Sequence, residues 1–388
     1  MPVNKKLVTL FIWILFAVLI GVGISYIIIK GSTRAYGAIY EKTQVNSNIL
    51  IGNAVSSQED NSSVVLKEIS NNTPKINNTI SIGFVGDIVP GINASENIFS
   101  DITLYTEKPD IMIGNFEGVV TNNIYFKCKP DSLNCFSFNG DDVFLGLLSK
   151  SSFDVLNVAN NHFNDYGEIG QEETIKEIRK AGIITSGIKN EITYVTKNNF
   201  TIGIIGFSTY SWTTNMNNEE TLKKIISIAD QNSDVVVVVF HGGGEGIKYT
   251  HTPSETEIYL EENRGNLRTF SQSSIDAGAD IVLGSGPHVL RGIEWYKGKL
   301  IAYSLGNFAS ANSLLTSGLL KTSAMIETTF NKEGSFVSGA IVPFEIDTNG
   351  IPHPDLNNTS ITIINDLSKN DFGKQGIVLG PSGEIKTQ

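Results

Sequence analysis

Basic charge is scarce in this chain: 29 Lys and Arg stand against 40 Asp and Glu, a net charge of −11. No basic stripe interrupts that balance, which argues against nucleic acid as a partner. The same acidity means that an anionic substrate would be repelled unless a cation sat in the site. Cysteine is rarer still, with two residues in 388. Without a second cysteine pair, zinc-finger chemistry is not expected. No Gly-x-Ser-x-Gly elbow is present, and Gly284-Ser-Gly286 is too short to be one. The glycine-rich Gly242-Gly-Gly-Glu-Gly246 lacks a Walker lysine and does not open a helix, so nucleotide cradling is not expected either.

What is present begins with residues 7–29, a 23-residue apolar run without a charge. At about 1.5 Å per residue it reaches roughly 35 Å, enough to cross a hydrocarbon core with some tilt. Lys5 and Lys6 precede it and favour a cytoplasmic N-terminus for residues 1–6. A cleaved signal peptide is the rival reading, but the run is long for one and no Ala-x-Ala site follows. The expectation is a single-pass anchor at the cell membrane with the bulk of the chain outside the cytoplasm. Residues 30–79 are rich in Asn, Ser and Thr and poor in aromatics, as a disordered linker would be. They carry three glycosylation sequons, at Asn61, Asn71 and Asn77. Cys128 and Cys135 bracket a short turn-rich loop, and an outside location would let them pair. Free thiols or half a metal site are the alternatives.

From Ile80 onward, apolar runs alternate with helical patterns, and the runs end in polar knots. Ile82–Val85 delivers Gly86-Asp87, and Asp110–Ile113 delivers Gly114-Asn115-Phe-Glu117. Val155–Val158 delivers Asn160-Asn161-His162 before a helix-like pattern from Ile169 to Ala181. Val235–Phe240, buried on both faces by its composition, ends in His241-Gly-Gly-Gly-Glu245. Ile281–Leu283 leads to Gly284–His288, and Leu300–Tyr303 closes on Ser304-Leu-Gly-Asn307-Phe308. A hairpin over 324–346 follows, and the stretch 353–388 reads as a tail without clear pattern. Strands alternating with helices and then hairpins predict a mixed α/β sandwich of two sheets over 80–352.

The carboxyl edge of such a sheet is where open α/β folds keep their sites. Asp87, Asn115, Glu117, Asn161, His162, His241 and His288 together offer carboxylate, amide and imidazole. That is the donor set of a borderline divalent metal such as Mn²⁺, Zn²⁺ or Fe²⁺. Taken singly, each is as readily a strand-end cap. Five of seven predicted strand ends carry such groups, with three of the five histidines among them, which favours a site. The expected ligands are Asp87, Asn161, His241 and His288 with Glu117 nearby. His162 would face a substrate, and Asn115, Asn160, Glu245 and Asn307 would stand around them.

Gly86-Asp87, Asn115-Phe-Glu117, Ala159-Asn-Asn-His162, His241-Gly-Gly, Gly284–His288 and Ser304–Phe308, in this order and spacing, resemble the CapA capsule-synthesis family. That resemblance covers about residues 80–345 and implies a metallophosphatase-like fold, with an N-terminal transmembrane helix ahead of it here. It implies that Asp87 matches the first aspartate of the metallophosphatase pattern. Glu117 then stands near the bridging carboxylate, and Asn161-His162, His241 and His288 match later site positions. Two departures stand out. Val89 occupies the position of a ligand histidine in a typical metallophosphatase, and Gly286 a position where many family members carry histidine. One metal, or none, is therefore expected more readily than two. The implied role is in synthesis or export of an anionic surface polymer such as poly-γ-glutamate, beside the membrane subunits of a capsule complex. A metal-dependent hydrolase of phosphoester or γ-glutamyl bonds and a metal-free polymer-binding scaffold are the alternatives.

Overall fold

The computed structural model describes residues 78–387 apart from 126, 129–134 and 312–316. The proposed anchor, nearly all of the linker and the three sequon asparagines Asn61, Asn71 and Asn77 lie outside the described residues. Among the described residues no helix is long and apolar enough to cross a membrane.

Two sheets face each other. The first has eight strands: β1 (Thr79–Val89), β2 (Ile111–Phe116), β3 (Val155–Asn157) and β4 (Ile184–Ser186) on one side, and later strands on the other. The second has seven, including β5 (Thr193–Lys197), β6 (Phe200–Ser208), β7 (Val235–His241), β8 (Ile281–Ser285), β9 (Ile293–Tyr296) and β10 (Lys299–Ala302). The chain then returns to the first sheet with β11 (Asn307–Ser310), β12 (Thr322–Asn331), β13 (Phe336–Ile346) and β14 (Pro352–Pro354). The first sheet runs β14-β13-β12-β1-β2-β3-β4 with β11 beside β1, and the second β9-β10-β8-β7-β6-β5.

Alternation along the strands decides which residue faces which layer. In β7, Val235, Val237 and Val239 join Ile82, Phe84, Ile111 and Ile113 in the core between the sheets. Val236, Val238 and Phe240 turn outward onto α3 (Glu219–Asp230) and α4 (Leu267–Asp276). On the far side, α1 (Asp142–Lys150) and α2 (Gly167–Lys180) cover Met112, Phe116 and Leu156. The result is the expected two-sheet α/β sandwich with helices on both outer faces. Side-chain caps start three of these helices: Asp141, Asn218 and Asn266 accept from the backbone N–H three residues on.

The stretch read as a tail is folded. Residues Thr359–Phe372 form α5, and Ile361, Ile364, Ile377, Leu379 and Ile385 join the core between the sheets. The boundary placed at residue 352 is thus no boundary in the packing. Its helix is rich in Thr, Ser, Asn and Asp, which have low intrinsic helix preference, and burial of its isoleucines overrides that.

Candidate functional site

Parallel pairing brings the polar strand ends together. β1 pairs in parallel with both β2 and β11, placing Asp87 opposite Asn115 and Asn307. The register shifts between Val85 and Asp87, a bulge that re-aims the aspartate. Gly86 is required there, because a Cβ would meet the Gly306 carbonyl oxygen at 2.0 Å. In the second sheet β7 and β8 carry His241 opposite Ser285.

The side chains converge on Glu117. Its Oε1 lies 3.6 Å from His241 Nε2, 3.7 Å from His288 Nε2 and 3.8 Å from His162 Nε2. Behind each imidazole stands a group on its Nδ1. His288 Nδ1 is 3.0 Å from Asp87 Oδ2 and 2.9 Å from Asn307 Oδ1. His162 Nδ1 is 2.8 Å from Asp165 Oδ2. His241 Nδ1 lies 3.4 Å from Asp87 Oδ1 and 3.2 Å from both Asn115 Nδ2 and Ser285 Oγ. Asn115 is the hub: its Nδ2 donates to Asp87 Oδ1, and its Oδ1 accepts from Asn157 Nδ2. Asn160 Nδ2 donates to the Phe116 carbonyl, and Asn160 Oδ1 accepts from His162 N.

Burial sets the charges. It pushes the Glu117 carboxyl well above the usual carboxylate range, with the Asp87 charge adding to it. Burial opposes ionisation of Asp87 too, but His241 and His288 hold it low. His241 and His162 are both pushed down by burial against the pull of Asp87 and Asp165. His288 goes the other way: the Glu117, Asp87 and Glu245 carboxylates overcome burial and push it up to about 10.

Several of these groups lack a protein partner. Both Glu117 oxygens, His241 Nε2 and Asn161 Oδ1 are buried with no hydrogen bond, a costly state for polar atoms. Asp87, Glu117 and His241 offer one donor atom each within 4.8 Å of one another. These residues fit a divalent cation, since each supplies an atom that nothing else satisfies or a carboxylate held ionised. The compact set lies within the expected metal group of Asp87, Glu117, Asn161, His241 and His288, with Glu117 drawn in from beside the ion. His288 lies beside the set, and Asn161 contributes an unpartnered oxygen.

The two sequence departures have structural counterparts. Val89 is a buried strand residue of β1. Gly286 donates its backbone N–H to Asp87 Oδ2 at 3.2 Å, with φ of +112°. A Cβ there would meet Gly242 O at 2.7 Å, so a histidine would not fit this backbone. Next to it His288 holds φ of +59°, a sparsely populated conformation for an imidazole residue and one found at functional sites.

Residues 81–312 match the family described as bacterial capsule synthesis protein PGA_cap. The chain belongs to that family. It is 33% identical over 265 residues to the PGA biosynthesis protein CapA of Bacillus subtilis, covering 61% of this chain and 66% of that protein. To the capsule biosynthesis protein CapA of Bacillus anthracis it is 28% identical over 318 residues, 72% of this chain and 70% of the other. The match thus spans about two thirds of these relatives' own length. Among solved structures, a 5'-nucleotidase from Staphylococcus aureus aligns with a TM-score of 0.43 at 16% identity, covering 70% of this chain and 56% of that one. A 5'-nucleotidase precursor from Thermus thermophilus gives 0.40 at 12%, covering 75% and 59%. Likenesses of that extent carry no argument about chemistry.

For this PGA_cap family member the sequence reading missed Asp165, Asn157 and Arg264. Asp165 had a signal, since it follows His162 by three residues. Its Oδ2 also accepts from Phe138 N, and its Oδ1 pairs with Lys127 Nζ at 2.6 Å. Cys128 and Cys135 are disulfide-bonded, as an outside location would allow.

Proposed function

We propose that this protein takes part in making or exporting an anionic surface polymer such as poly-γ-glutamate, through a site that holds one divalent cation. Membership of the capsule-synthesis family supports the polymer role. The cation rests on one observation: Glu117 is fully buried with both oxygens unpartnered, 3.6–3.8 Å from three imidazole Nε2 atoms. Asp87, Glu117 and His241 would hold the ion, with His288 and Asn161 as further ligands. When bound, the ion would supply a Lewis acid and an activated water.

A hydrolytic role draws support from the His162–Asp165 pair. Asp165 Oδ2 accepts the hydrogen bond from Nδ1–H, which fixes the tautomer and leaves Nε2 free to exchange a proton with a substrate oxygen. In this reading the substrate is a phosphoester or a γ-glutamyl bond. Residues 7–29 would anchor the chain with its domain outside the cytoplasm, next to the membrane subunits of a capsule complex.

Expression of the full chain in a B. subtilis strain lacking its relative tests the role, with polymer yield as the readout. Restored polymer, lost again in a chain deleted for residues 1–30 that turns soluble, is the expected result. No restoration by a chain that reaches the membrane contradicts the polymer role. A deleted chain that stays in the membrane without aggregating contradicts the anchor.

A further inference from the structure

Arg264 is buried to 2% exposure. Its Nη1 donates to Glu245 Oε1 at 2.7 Å, while Nε and Nη2 are buried with no hydrogen-bond partner. Arg291, equally buried, differs: its Nε reaches the Tyr249 carbonyl, and Nη1 and Nη2 fork onto both oxygens of Glu257. A buried guanidinium keeps unsatisfied donors at considerable cost, and the Nε–Nη2 edge is a fork that binds planar oxyanions in two parallel hydrogen bonds.

The position of that fork is informative. Trp212 Nε1 donates to the Asn160 carbonyl at 3.1 Å, and Tyr210 stacks on Trp212 with centroids 4.8 Å apart. The Arg264 guanidinium lies 5.9 Å from the Tyr210 ring and 5.8 Å from the Tyr259 ring. Glu245 then leads back to the centre, with its Oε2 3.9 Å from His288 Nε2. Contacts therefore run unbroken from Asn160, beside His162, to His288. Tyr210 OH donates to Glu262 Oε2, joining the loop before α3 to the short hairpin made by Ile258–Tyr259 and Glu262–Asn263. That hairpin turns through Leu260 and Glu261, and Leu260 is largely exposed.

We propose that Arg264 is a carboxylate-binding residue of a substrate subsite on the rim of the metal-holding centre, reached when the Tyr210–Glu262 contact parts. A ligand seated there would place one carboxylate on the Nε–Nη2 fork and its reacting part toward Glu117 and His162. Monoanionic carboxylate suits the site better than dianionic phosphate. Glu245 is 2.7 Å and Glu262 3.9 Å from Nη1, and each further negative charge is repelled by both. The inference rests on the reading of an anionic polymer as substrate, and deepens it to the side-chain carboxylates of such a polymer.

Calorimetric titration of the full chain with glutarate, and separately with inorganic phosphate, at fixed ionic strength tests it. Glutarate should bind, and bind better than phosphate. Arg264→Lys, which keeps the charge and loses the fork, should weaken glutarate about tenfold. Glu262→Ala, which frees the fork of its latch and of one charge, should tighten it several-fold, and this variant serves if Arg264→Lys fails to fold. No glutarate binding, a preference for phosphate, or glutarate affinity unmoved by both substitutions overturns the proposal. The two readings fail separately. A chain that restores polymer yet ignores glutarate loses only this subsite, whereas one that binds glutarate and restores no polymer loses only the polymer role.

Discussion

The two ends of the parallel strands treat their polar groups in opposite ways. At the amino end an aspartate precedes each of four strands and closes the edge. Asp110 accepts from Ser81 N, Asp154 from Met112 N, Asp234 from Thr201 N and Asp280 from Val236 N. Each takes a backbone donor of the neighbouring strand at 2.7–2.8 Å. At the carboxyl end Glu117, Asn161 and His241 keep buried atoms with no partner. The same sheets can therefore satisfy their edges, and at one edge they do not. Unsatisfied groups held at such cost by surrounding packing mark where a ligand is expected.

The largest effect that would break this contrast is at Glu117. Glu117→Gln should lower divalent-metal affinity at least about a hundredfold, as loss of a charged ligand does. It should also leave the chelated protein about as stable as wild type, because an amide of the same shape replaces a carboxyl whose oxygens have no partner. Urea unfolding with and without chelator reads both. A clear loss of stability in chelator would mean that Glu117 is structural.

Cys128 and Cys135 close a loop of eight residues counting both, three residues before Phe138, whose ring stands against His162. In the chain-entropy model reduction of the disulfide costs about 2–3 kcal/mol. Cys128→Ser with Cys135→Ser should lower the unfolding midpoint accordingly and leave metal content unchanged. Metal loss in that variant would tie the loop to the centre itself.

At the opposite edge, Asp280→Ala strips the partner from buried Val236 N and from Lys299. It should cost about 1–3 kcal/mol of stability, with metal content and any turnover unchanged. If metal content fell as well, the two edges would not be independent and the comparison would lose its force.

The last effect is in pH. His288 is pushed up to about 10 by its three carboxylates, so at neutral pH it carries a proton on both ring nitrogens. Its Nδ1–H serves Asp87 and Asn307, and a metal bound through Nε2 must displace the other proton. Metal affinity should therefore rise with pH, by up to about tenfold per unit below pH 10. Calorimetry in buffers of different ionisation enthalpy counts the protons released. No release between pH 6 and 8 would remove His288 from the ligands.

The sheets were legible because β7, with five consecutive valines, and its neighbours are long apolar runs with a clear stop. The same stops exposed Asp87, Glu117, His162, His241 and His288. What the sequence hid was hidden for physical reasons. Asn157 lies inside an apolar strand, where its part in holding Asn115 depends on a pairing that only the fold supplies. Arg264 follows a two-residue strand of a short hairpin, a place with no sequence pattern to mark it, and its relation to His288 runs through Glu245. The helix Thr359–Phe372 has weak helix formers throughout, and its place depends on a core built by residues far earlier in the chain.

The central claim is that the carboxyl edge is a metal site whose key acceptor is Glu117. Metal analysis of the full chain purified without chelator, beside Glu117→Gln, tests it most directly. The account predicts close to one equivalent of Mn²⁺, Zn²⁺ or Fe²⁺ in wild type and almost none in the variant. A wild-type chain that takes up no divalent metal at micromolar concentrations, or a variant that holds as much as wild type, would contradict it.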